Sequence, residues 1–490
     1  MKRVCKSNTF YRVKEKITTF VQNFVTAMKN RVVLAVLAVL FMSVNASAHE
    51  IIKFHMASSS AGIYPGTERD VEVYVPEAYD GTRPACLYVG LDGILCNAPH
   101  VMDSLITAGK MPVTIGVFVQ PGVIKDKDGN VVRYNRSNEF DMPTASFVRF
   151  LESELLPRVE QLTTAKGYPV KLSHQAADGM IFGLSSGGIA AFTAAWHRPD
   201  RFSRVFSGVG TFVAMRGGND LQAIVRKSEP RPLRIFLQDG TNDVWNPLFG
   251  HWYEGNRMLA SALDFAGYDA RYDWSDCYHG VKRATEIFPE VMEWMWQGWP
   301  QAPRCGKTQN NLLDTMLVDD SEWKQEIISA DSIDNTINDV CAHYPGLPIV
   351  VRPNEKSNCL SQFIIDSNGN ESYAQPFYWL HSYDNSQLVI KAITFDGAGN
   401  LWVVTNAGIQ ICDQNGRVRG ILMLPPSIMQ WFHYINRITV KDDSVELVTN
   451  GFEFSSYYPP RPTGVRTKFT RKLHVTAPKS GVTPKSQGQG

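Results

Sequence analysis

The chain lacks an excess of charge of either sign. Its 490 residues carry 49 Lys+Arg against 48 Asp+Glu, a formal net charge of +1. No basic stripe indicates a nucleic-acid surface, and no acidic excess indicates disorder. We therefore exclude nucleic acid as a partner and expect small ligands that are neutral or weakly charged.

Apolar runs long enough to span a bilayer are also lacking. The run Val32–Val44 has 13 residues, fewer than a membrane helix needs. Lys29 and Arg31 precede it, and the A-x-A site Ala46-Ser47-Ala48 follows it. This pattern is typical of a secretory signal peptide; a membrane anchor is the less favoured alternative.

The signal peptide predicts cleavage before His49 and export to the periplasm or the exterior, with no stable membrane anchor afterwards. Met28 is the favoured start, although Met1 stays open and both predict export.

Cysteine pairs with metal-site spacing are missing as well. An odd number of widely spaced cysteines remains after the leader, which argues against a disulfide framework and favours buried thiols, with one or two bridges left open. The eight are Cys5, Cys86, Cys96, Cys277, Cys305, Cys341, Cys359 and Cys412.

What the chain has in abundance, over residues 69–300, is an alternation of strand and helix patterns. Some runs are continuously apolar and rich in Val and Ile, as in strands buried on both faces of a sheet. The predicted strands are 69–75, 85–91, 113–119, 180–185, 204–209, 233–240 and 270–275, and the predicted helices are 100–110, 145–162, 186–197, 253–266 and 283–297. The rhythm predicts an α/β fold with a mostly parallel central sheet covered by helices on both faces.

Beyond a Pro-rich polar stretch at 300–312, a candidate linker, short strand-like pieces alternate with hairpin turns such as GAGN and QNG. We expect a smaller, mostly-β domain there. The predicted organisation is a leader with signal peptide at 1–48, an α/β domain at 49–302, a β-rich module at 313–475 and a disordered tail at 476–490.

The stretch Gly183-Leu184-Ser185-Ser186-Gly187 fits G-x-S-x-G, with a predicted strand before it and a helix directly after. This is the context of a nucleophile elbow, which raises a serine over the sheet edge. Ser185 is the predicted nucleophile, and the backbone N–H of Ser186 is a predicted oxyanion donor at the helix N-terminus. A Ser/Gly-rich helix cap without chemistry is the alternative.

A serine nucleophile needs a histidine base oriented by a carboxylate, in the chain order Ser, acid, His. Asp243 lies in the loop after the strand 233–240 and is the favoured acid, with Asp239 as its competitor. His279 follows the last predicted strand and is the predicted base.

These stretches resemble the enterochelin-esterase and feruloyl/acetyl-xylan-esterase (esterase D type) branch of the α/β-hydrolases. The matching pieces include LYVGLDG (87–93), NRSNEFD (135–141), GLSSGGIAAFTAAWHRPDRF (183–202) and LRIFLQDGTND (233–243). The resemblance implies an α/β-hydrolase sandwich with Ser185, Asp243 and His279 as the triad.

The resemblance also implies a second oxyanion N–H from Asp92 or Leu91 and a polar position near the pocket at Glu139. We add Trp245, two residues after Asp243, as a substrate-binding candidate. One departure is that Ser275-Asp276-Cys277-Tyr278 stands before His279, where relatives usually carry glycines.

Residues 372–425 resemble a different family, the gluconolactonase and senescence-marker type of β-propeller, which binds a divalent metal. Lys391 stands where that family has a metal-binding aspartate, so no metal is predicted. The region is also too short for a full propeller. We expect a partial, non-catalytic propeller-like module, in which Trp402, Trp431, Tyr457 and Tyr458 are candidates for sugar stacking but favour core packing.

The sequence thus predicts an exported serine carboxylic-ester hydrolase that needs no cofactor and acts on a small-molecule or polysaccharide ester. Feruloyl or acetyl esters linked to carbohydrate are the favoured substrates. A siderophore esterase of the enterochelin type, with Arg133, Arg136 and Arg283 as pocket cations, is one alternative. A non-catalytic carbohydrate-binding protein on a hydrolase scaffold and a working C-terminal lactonase are the others. The oligomeric state stays open.

Overall fold

Twelve strands precede residue 280, and the predicted residues Ser185, Asp243 and His279 lie among them. The computed structural model describes residues 49–319, 321–329, 340–383, 387–449 and 465–474. The predicted leader, the predicted tail, Tyr457 and Tyr458 lie outside these residues. The strands are β1 His49–Ala57, β2 Glu68–Pro76, β3 Cys86–Leu91, β4 Thr114–Val119, β5 Val123–Lys125, β6 Val131–Tyr134, β7 Gly179–Leu184, β8 Arg204–Gly208, β9 Arg234–Gly240, β10 Trp245–Asn246, β11 Gly250–His251 and β12 Asp269–Ser275.

Ten of these strands form one mixed sheet in the order β12-β9-β8-β7-β3-β4-β2-β5-β6, with β1 also paired to β2. The strands from β12 to β4 run parallel. β2, β5 and β6 pair antiparallel at the other side. The predicted mostly parallel sheet is confirmed, and the hairpin β5–β6 is an addition that the sequence pattern did not predict.

Helices cover both faces because the parallel strands carry apolar side chains on both sides. Tyr88 and Phe182 pack on one face with Phe288. Val89 and Ile181 pack on the other with Trp196 and its neighbours. The helices of this part are Ala98–Thr107, Arg136–Phe140, Ser146–Phe150, Leu156–Val159, Ser186–His197, Leu221–Lys227, Trp252–Ala266 and Val281–Trp296, and a π-helical turn spans Leu151–Leu155.

The C-terminal part contains three four-stranded antiparallel sheets in the described residues. Their strands are β13 Lys324–Ser329, β14 Ala342–His343, β15 Ile349–Pro353, β16 Cys359–Ile365, β17 Glu371–Trp379, β18 Ile390–Phe395, β19 Leu401–Thr405, β20 Gly408–Cys412, β21 Val418–Leu422, β22 Ile435–Val440, β23 Ser444–Thr449 and β24 Val465–Lys472, with short helices Asn311–Met316 and Pro426–Met429. β13 pairs with β24, so the first and last strands of the module share a sheet.

Aspartate-led turns join several of these strands and explain the hairpin signals in the sequence. Asp396 accepts hydrogen bonds from the backbone of Ala398 and Asn400 and from Trp402 Nε1. Asp413 makes the same backbone turn. Trp402 is completely buried, so its predicted alternative of sugar stacking is wrong and core packing is confirmed.

The described residues from Ile51 onward form one compact unit. The predicted linker packs against the α/β part, because Gly306 N donates to Gly267 O at 2.7 Å and Gln309 N donates to Phe265 O at 2.8 Å. Every cysteine in the described residues is free, and Cys86, Cys96, Cys359 and Cys412 are buried. None of the described helices has the length and apolar character that crossing a membrane requires.

Candidate active site

The nucleophile elbow lies between β7 and the helix Ser186–His197. Ser185 has φ 58° and ψ −120°, a strained left-handed backbone that turns its side chain away from the sheet. Gly183 makes this turn possible, because a Cβ there would lie 2.2 Å from the carbonyl oxygen of Gly187. The backbone N–H of Ser185 donates to Gly208 O at 2.9 Å, which ties the elbow to β8.

A continuous chain of hydrogen bonds joins the three predicted triad side chains. His279 Nε2 lies 2.9 Å from Ser185 Oγ, and His279 Nδ1 lies 2.6 Å from Asp243 Oδ1. The three residues follow β7, β9 and β12, which are parallel, so their carboxyl ends share one edge of the sheet. This geometry can move a proton from a hydroxyl to an imidazole held by a carboxylate.

The loop that carries His279 is tied to the loop that carries Asp243. Asn242 N donates to Cys277 O at 3.2 Å, and Thr241 N donates to Ser275 O at 2.9 Å. Gly240 is pressed against the Cys277 carbonyl, where a Cβ would lie 2.1 Å from the oxygen. The side chains of Ser275-Asp276-Cys277-Tyr278 before His279 therefore leave the contact between His279 and Asp243 intact.

Asp243 is held by more than His279. Its Oδ1 also accepts the backbone N–H of Val244 at 2.5 Å, and the carboxyl group of Asp239 is a further hydrogen-bond partner of this carboxylate. Burial alone would raise the pKa of Asp243, but the hydrogen bonds from His279, Asp239 and Val244 outweigh it and keep the pKa below its ordinary value.

Asp239, the competing acid, is fully buried beside Asp243 and does not contact His279. Its Oδ1 accepts Gly240 N at 2.7 Å, and its Oδ2 accepts Asn256 Nδ2 at 2.6 Å. Burial, followed by the hydrogen bond and the negative charge of Asp243, raises the pKa of Asp239 to about 9. The raised pKa favours the protonated form of Asp239, which can donate a hydrogen bond to the Asp243 carboxylate.

Asp92 and Ser186 offer backbone N–H groups beside the elbow. Neither N–H is engaged by another group in the part of the chain that the structure describes. Asp92 has a left-handed φ of 64° and follows β3, whereas Leu91 is still within that strand and pairs with Val119. Of the two predicted donors in this loop, the geometry favours Asp92.

Arg136 fixes the Asp92 loop. Its Nε and Nη2 bind the Asp92 carboxylate at 2.6 and 2.7 Å, and Nη2 also donates to Leu184 O at 3.3 Å. The fork thus clamps the loop against the end of β7.

Glu139 is not available to a substrate. Its carboxylate is completely enclosed and binds Arg69 through two contacts of 2.5 and 2.9 Å. It also accepts Asn135 Nδ2 at 2.8 Å and Gly122 N at 3.2 Å. The expected direct position near the pocket is therefore corrected: Glu139 anchors the segment from which Arg136 extends.

Exposed apolar side chains border the triad in sequence and include the predicted substrate residue Trp245. Trp245 is 66% exposed and Leu248 is 80% exposed in the loop after Asp243, and Tyr278 next to His279 is 76% exposed. Tyr134, two residues before Arg136, is 79% exposed. We call Tyr134, Trp245, Leu248 and Tyr278 the apolar rim.

Thr211 is a neighbour of the nucleophile that the sequence reasoning missed. Its Oγ1 lies 3.5 Å from Ser185 Oγ and accepts Trp252 Nε1 at 3.3 Å. The sequence could have indicated Thr211 through its position just after β8, a strand that ends at the same edge of the sheet as β7.

The Esterase family model, described as "Putative esterase", matches residues 62–281, which contain Ser185, Asp243 and His279. The match and the fold support an esterase-like α/β-hydrolase over this stretch and carboxylic-ester hydrolysis as its activity. No curated protein matches the chain.

Among solved structures, a ferulic acid esterase is 18% identical over 51% of this chain and 98% of that chain, with a TM-score of 0.38. The enterobactin esterase from Shigella flexneri is 22% identical over 51% of this chain, with a TM-score of 0.37, and the match spans 59% of that enzyme. The feruloyl esterase module from Clostridium thermocellum, complexed with sinapinate, is 13% identical over 53% and 93% of the two chains, with a TM-score of 0.37.

Proposed function

We propose that the chain is an exported serine esterase that acts through Ser185, His279 and Asp243 on carbohydrate-linked esters, with aromatic acyl groups of the feruloyl kind favoured over acetyl. The observation that carries this proposal is the pair of contacts His279 Nε2–Ser185 Oγ and His279 Nδ1–Asp243 Oδ1, at 2.9 and 2.6 Å.

In the proposed reaction, His279 Nε2 takes the proton of Ser185 Oγ while Oγ attacks the ester carbonyl carbon. The negative charge that develops on the carbonyl oxygen is stabilised by the N–H groups of Ser186 and Asp92. His279 then gives its proton to the leaving alcohol oxygen, and an acyl-enzyme on Ser185 remains. Water, deprotonated by His279, attacks the acyl group and releases the acid and the free serine.

The apolar rim supports an aromatic acyl group. Its four large side chains flank Arg136, Asp243 and His279 in sequence and are exposed, so they are costly to leave in water and offer stacking surface to an aromatic ring. A bare acetyl group would use little of this surface, so a phenolic ester linked to a sugar fits the site better.

The siderophore alternative has less support. Arg136 is bound to Asp92, and Arg283 is bound to Asp273 at 2.6 Å and to Glu286 at 3.3 Å. Two of the three candidate cations for an anionic catecholate are therefore already neutralised by carboxylates.

For the C-terminal sheets we propose a non-catalytic, propeller-like module. Asp396 opens the D-x-x-G turn. Its carboxylate accepts hydrogen bonds from Ala398 N, Asn400 Nδ2 and Trp402 Nε1. The described residues contain no group of three or more His, Cys, Asp or Glu side chains placed to share a metal ion.

The proposal is tested with the full exported chain and the variant Ser185→Ala. We expect kcat/KM for methyl ferulate and for a p-nitrophenyl ester to fall by a factor on the order of 10⁶, because the nucleophile is removed. The matched control Ser153→Ala changes an exposed serine that donates to Arg149 O on a distant helix, and it should keep full activity.

A fluorophosphonate probe should label Ser185 alone, as read by peptide mass spectrometry. Retained hydrolysis in Ser185→Ala, or labelling elsewhere, would remove the proposal. A panel of methyl ferulate, acetyl-xylan and a catecholate triester then separates the substrate classes, and turnover of the triester above the ferulate would favour the siderophore alternative.

A further inference from the structure

A cavity of about 340 Å³ lies far from the triad, between the hydrolase part and the C-terminal sheets. Trp196 and His197, at the opposite end of the helix from Ser185, form part of its wall. Residues of the C-terminal part, including Ala407 and Leu424, form the facing wall. Its volume is at the small end of ligand cavities, which span roughly 300–1,000 Å³.

Arg231 in this wall is a buried cation without a counter-ion. Its side chain stacks on Trp196 with the guanidinium carbon 3.5 Å from the ring centroid, and the residue is only 6% exposed. Nε and Nη1 are buried without a hydrogen-bond partner, and no carboxylate of the described residues forms an ion pair with it. Leaving a buried charge unpaired is costly, so an anion in the cavity would relieve it.

The rest of the cavity lining is also positively charged. Arg149 and Arg198 also line the cavity, and none of the described lining residues is Asp or Glu. Arg198 is already paired with Asp200 at 2.8 Å, whereas Arg149 binds only the hydroxyl of Ser146 among the described side chains. The cavity wall therefore carries positive charge beyond what its neighbours neutralise.

Apolar side chains make up the remaining wall, among them Val148, Leu388, Leu424 and Met429. A small inorganic anion would leave this surface facing water. A ligand that satisfies both walls has one anionic head for Arg231 and a compact apolar body.

We propose that this cavity is a binding site for a small organic carboxylate with an apolar body, held by Arg231 and closed by the C-terminal sheets. The site is separate from the triad, and the proposal does not depend on the proposed function. Its occupant bridges the two parts of the chain, so binding should also stabilise their association.

The test is calorimetric titration of the full chain with 3-phenylpropionate, its neutral amide 3-phenylpropionamide, and chloride and inorganic phosphate. We expect 3-phenylpropionate to bind at least about tenfold more tightly than the amide and than either inorganic anion. Arg231→Met should weaken 3-phenylpropionate binding by at least about tenfold. The matched control Arg226→Met, whose guanidinium binds Ser261 Oγ and stacks on Phe265, should bind as the wild type does.

A second variant, Ala407→Leu, narrows the cavity from the facing wall and leaves Arg231 in place; it should also weaken 3-phenylpropionate binding by at least about tenfold. This variant decides the question if Arg231→Met fails to fold. Equal affinity for 3-phenylpropionate in wild type and both variants would overturn the proposal, as would absence of binding. Phosphate or chloride binding that equals 3-phenylpropionate would overturn the carboxylate class and leave an inorganic-anion site.

Discussion

At the scale of single residues, the two buried carboxyl groups of Asp239 and Asp243 differ in charge and in the partners that they bind. Asp243 is an anion whose Oδ1 faces His279, and its Oδ2 lacks a donor unless Asp239 supplies its proton. A neutral Asp239 can donate this proton, and Asn256 together with Gly240 N–H holds its two oxygens in place. We infer that Asp239 is a positioning residue for Asp243, the acid of the proposed triad.

We predict that ionisation of Asp239 limits activity in alkali. The raised pKa of about 9 means that Asp239 loses its proton as pH rises through that value, which places a second negative charge beside Asp243. The wild type should therefore lose kcat/KM above about pH 9. Asp239→Asn keeps a neutral donor toward Asp243, and its profile should stay flat there, while Asp239→Ala should lower kcat/KM about tenfold at pH 7.

The same titration affects stability with a definite sign. A carboxyl whose folded pKa is raised costs nothing below its unfolded pKa, and its penalty grows as pH rises toward 9. Asp239→Asn should therefore gain thermal stability relative to wild type between pH 5 and 9, approximately. Asp264→Asn, which alters a surface carboxyl bound to Tyr272, is the control and should follow the wild-type profile. Superimposable activity profiles for Asp239→Asn and wild type would refute this role.

Residue positions were predictable from the sequence where they follow a strand and not where distant partners decide them. Ser185, Asp243 and His279 stand at strand ends, so the spacing alone brought them to one edge. Glu139 looked like a pocket residue because its partner Arg69 is 70 positions away, a distance that no local pattern reveals.

At the scale of elements, the nucleophile elbow depends on the close approach of Gly183 to Gly187, and the strands around it differ in how well the sequence predicts them. Strands buried on both faces were predictable because continuous apolar runs have few alternative structures. The hairpin β5–β6 was not, because its strand Val131–Tyr134 is exposed along its whole length and carries no alternation of buried and exposed residues. The turns of the three C-terminal sheets were predictable from the sequence. The pairing of β13 with β24 was not, because the two strands lie far apart in the sequence.

We predict that Gly183→Ala disrupts the elbow. The new methyl group would meet the carbonyl of Gly187 at 2.2 Å, where only backbone movement can relieve the contact. We expect a loss of about 1–3 kcal/mol in the free energy of unfolding, measured by urea denaturation, and a fall in kcat/KM of at least about tenfold because Ser185 shifts. Gly306→Ala, where the nearest atom lies at 3.5 Å, is the control. Wild-type stability in Gly183→Ala would show that the turn is less constrained than its geometry indicates.

At the scale of the whole molecule, hydrogen bonds and an ion pair join the hydrolase part to the C-terminal sheets. Glu229 N donates to Ile421 O at 2.8 Å, and Met423 N donates to Glu229 Oε2 at 3.0 Å. Arg471 from the last strand binds the same carboxylate at 2.5 and 2.8 Å. Asn310 bridges Arg226 O and Arg419 O. The composition change near 300–312 predicted a boundary between two parts, but the sequence could not show that these parts pack as one unit.

We predict that the two parts unfold together and that the Glu229–Arg471 pair controls this coupling. Both side chains are nearly buried, at 12% and 8% exposure, so Glu229→Ala leaves the Arg471 cation unpaired and the backbone N–H of Met423 without its partner. The loss should be about 3–5 kcal/mol, seen in differential scanning calorimetry as a lower midpoint or as a split into two transitions. The double variant Glu229→Gln/Arg471→Met removes both charges and should recover much of this loss. Two separate transitions already in the wild type would mean that the shared interface does not couple the unfolding of the two parts.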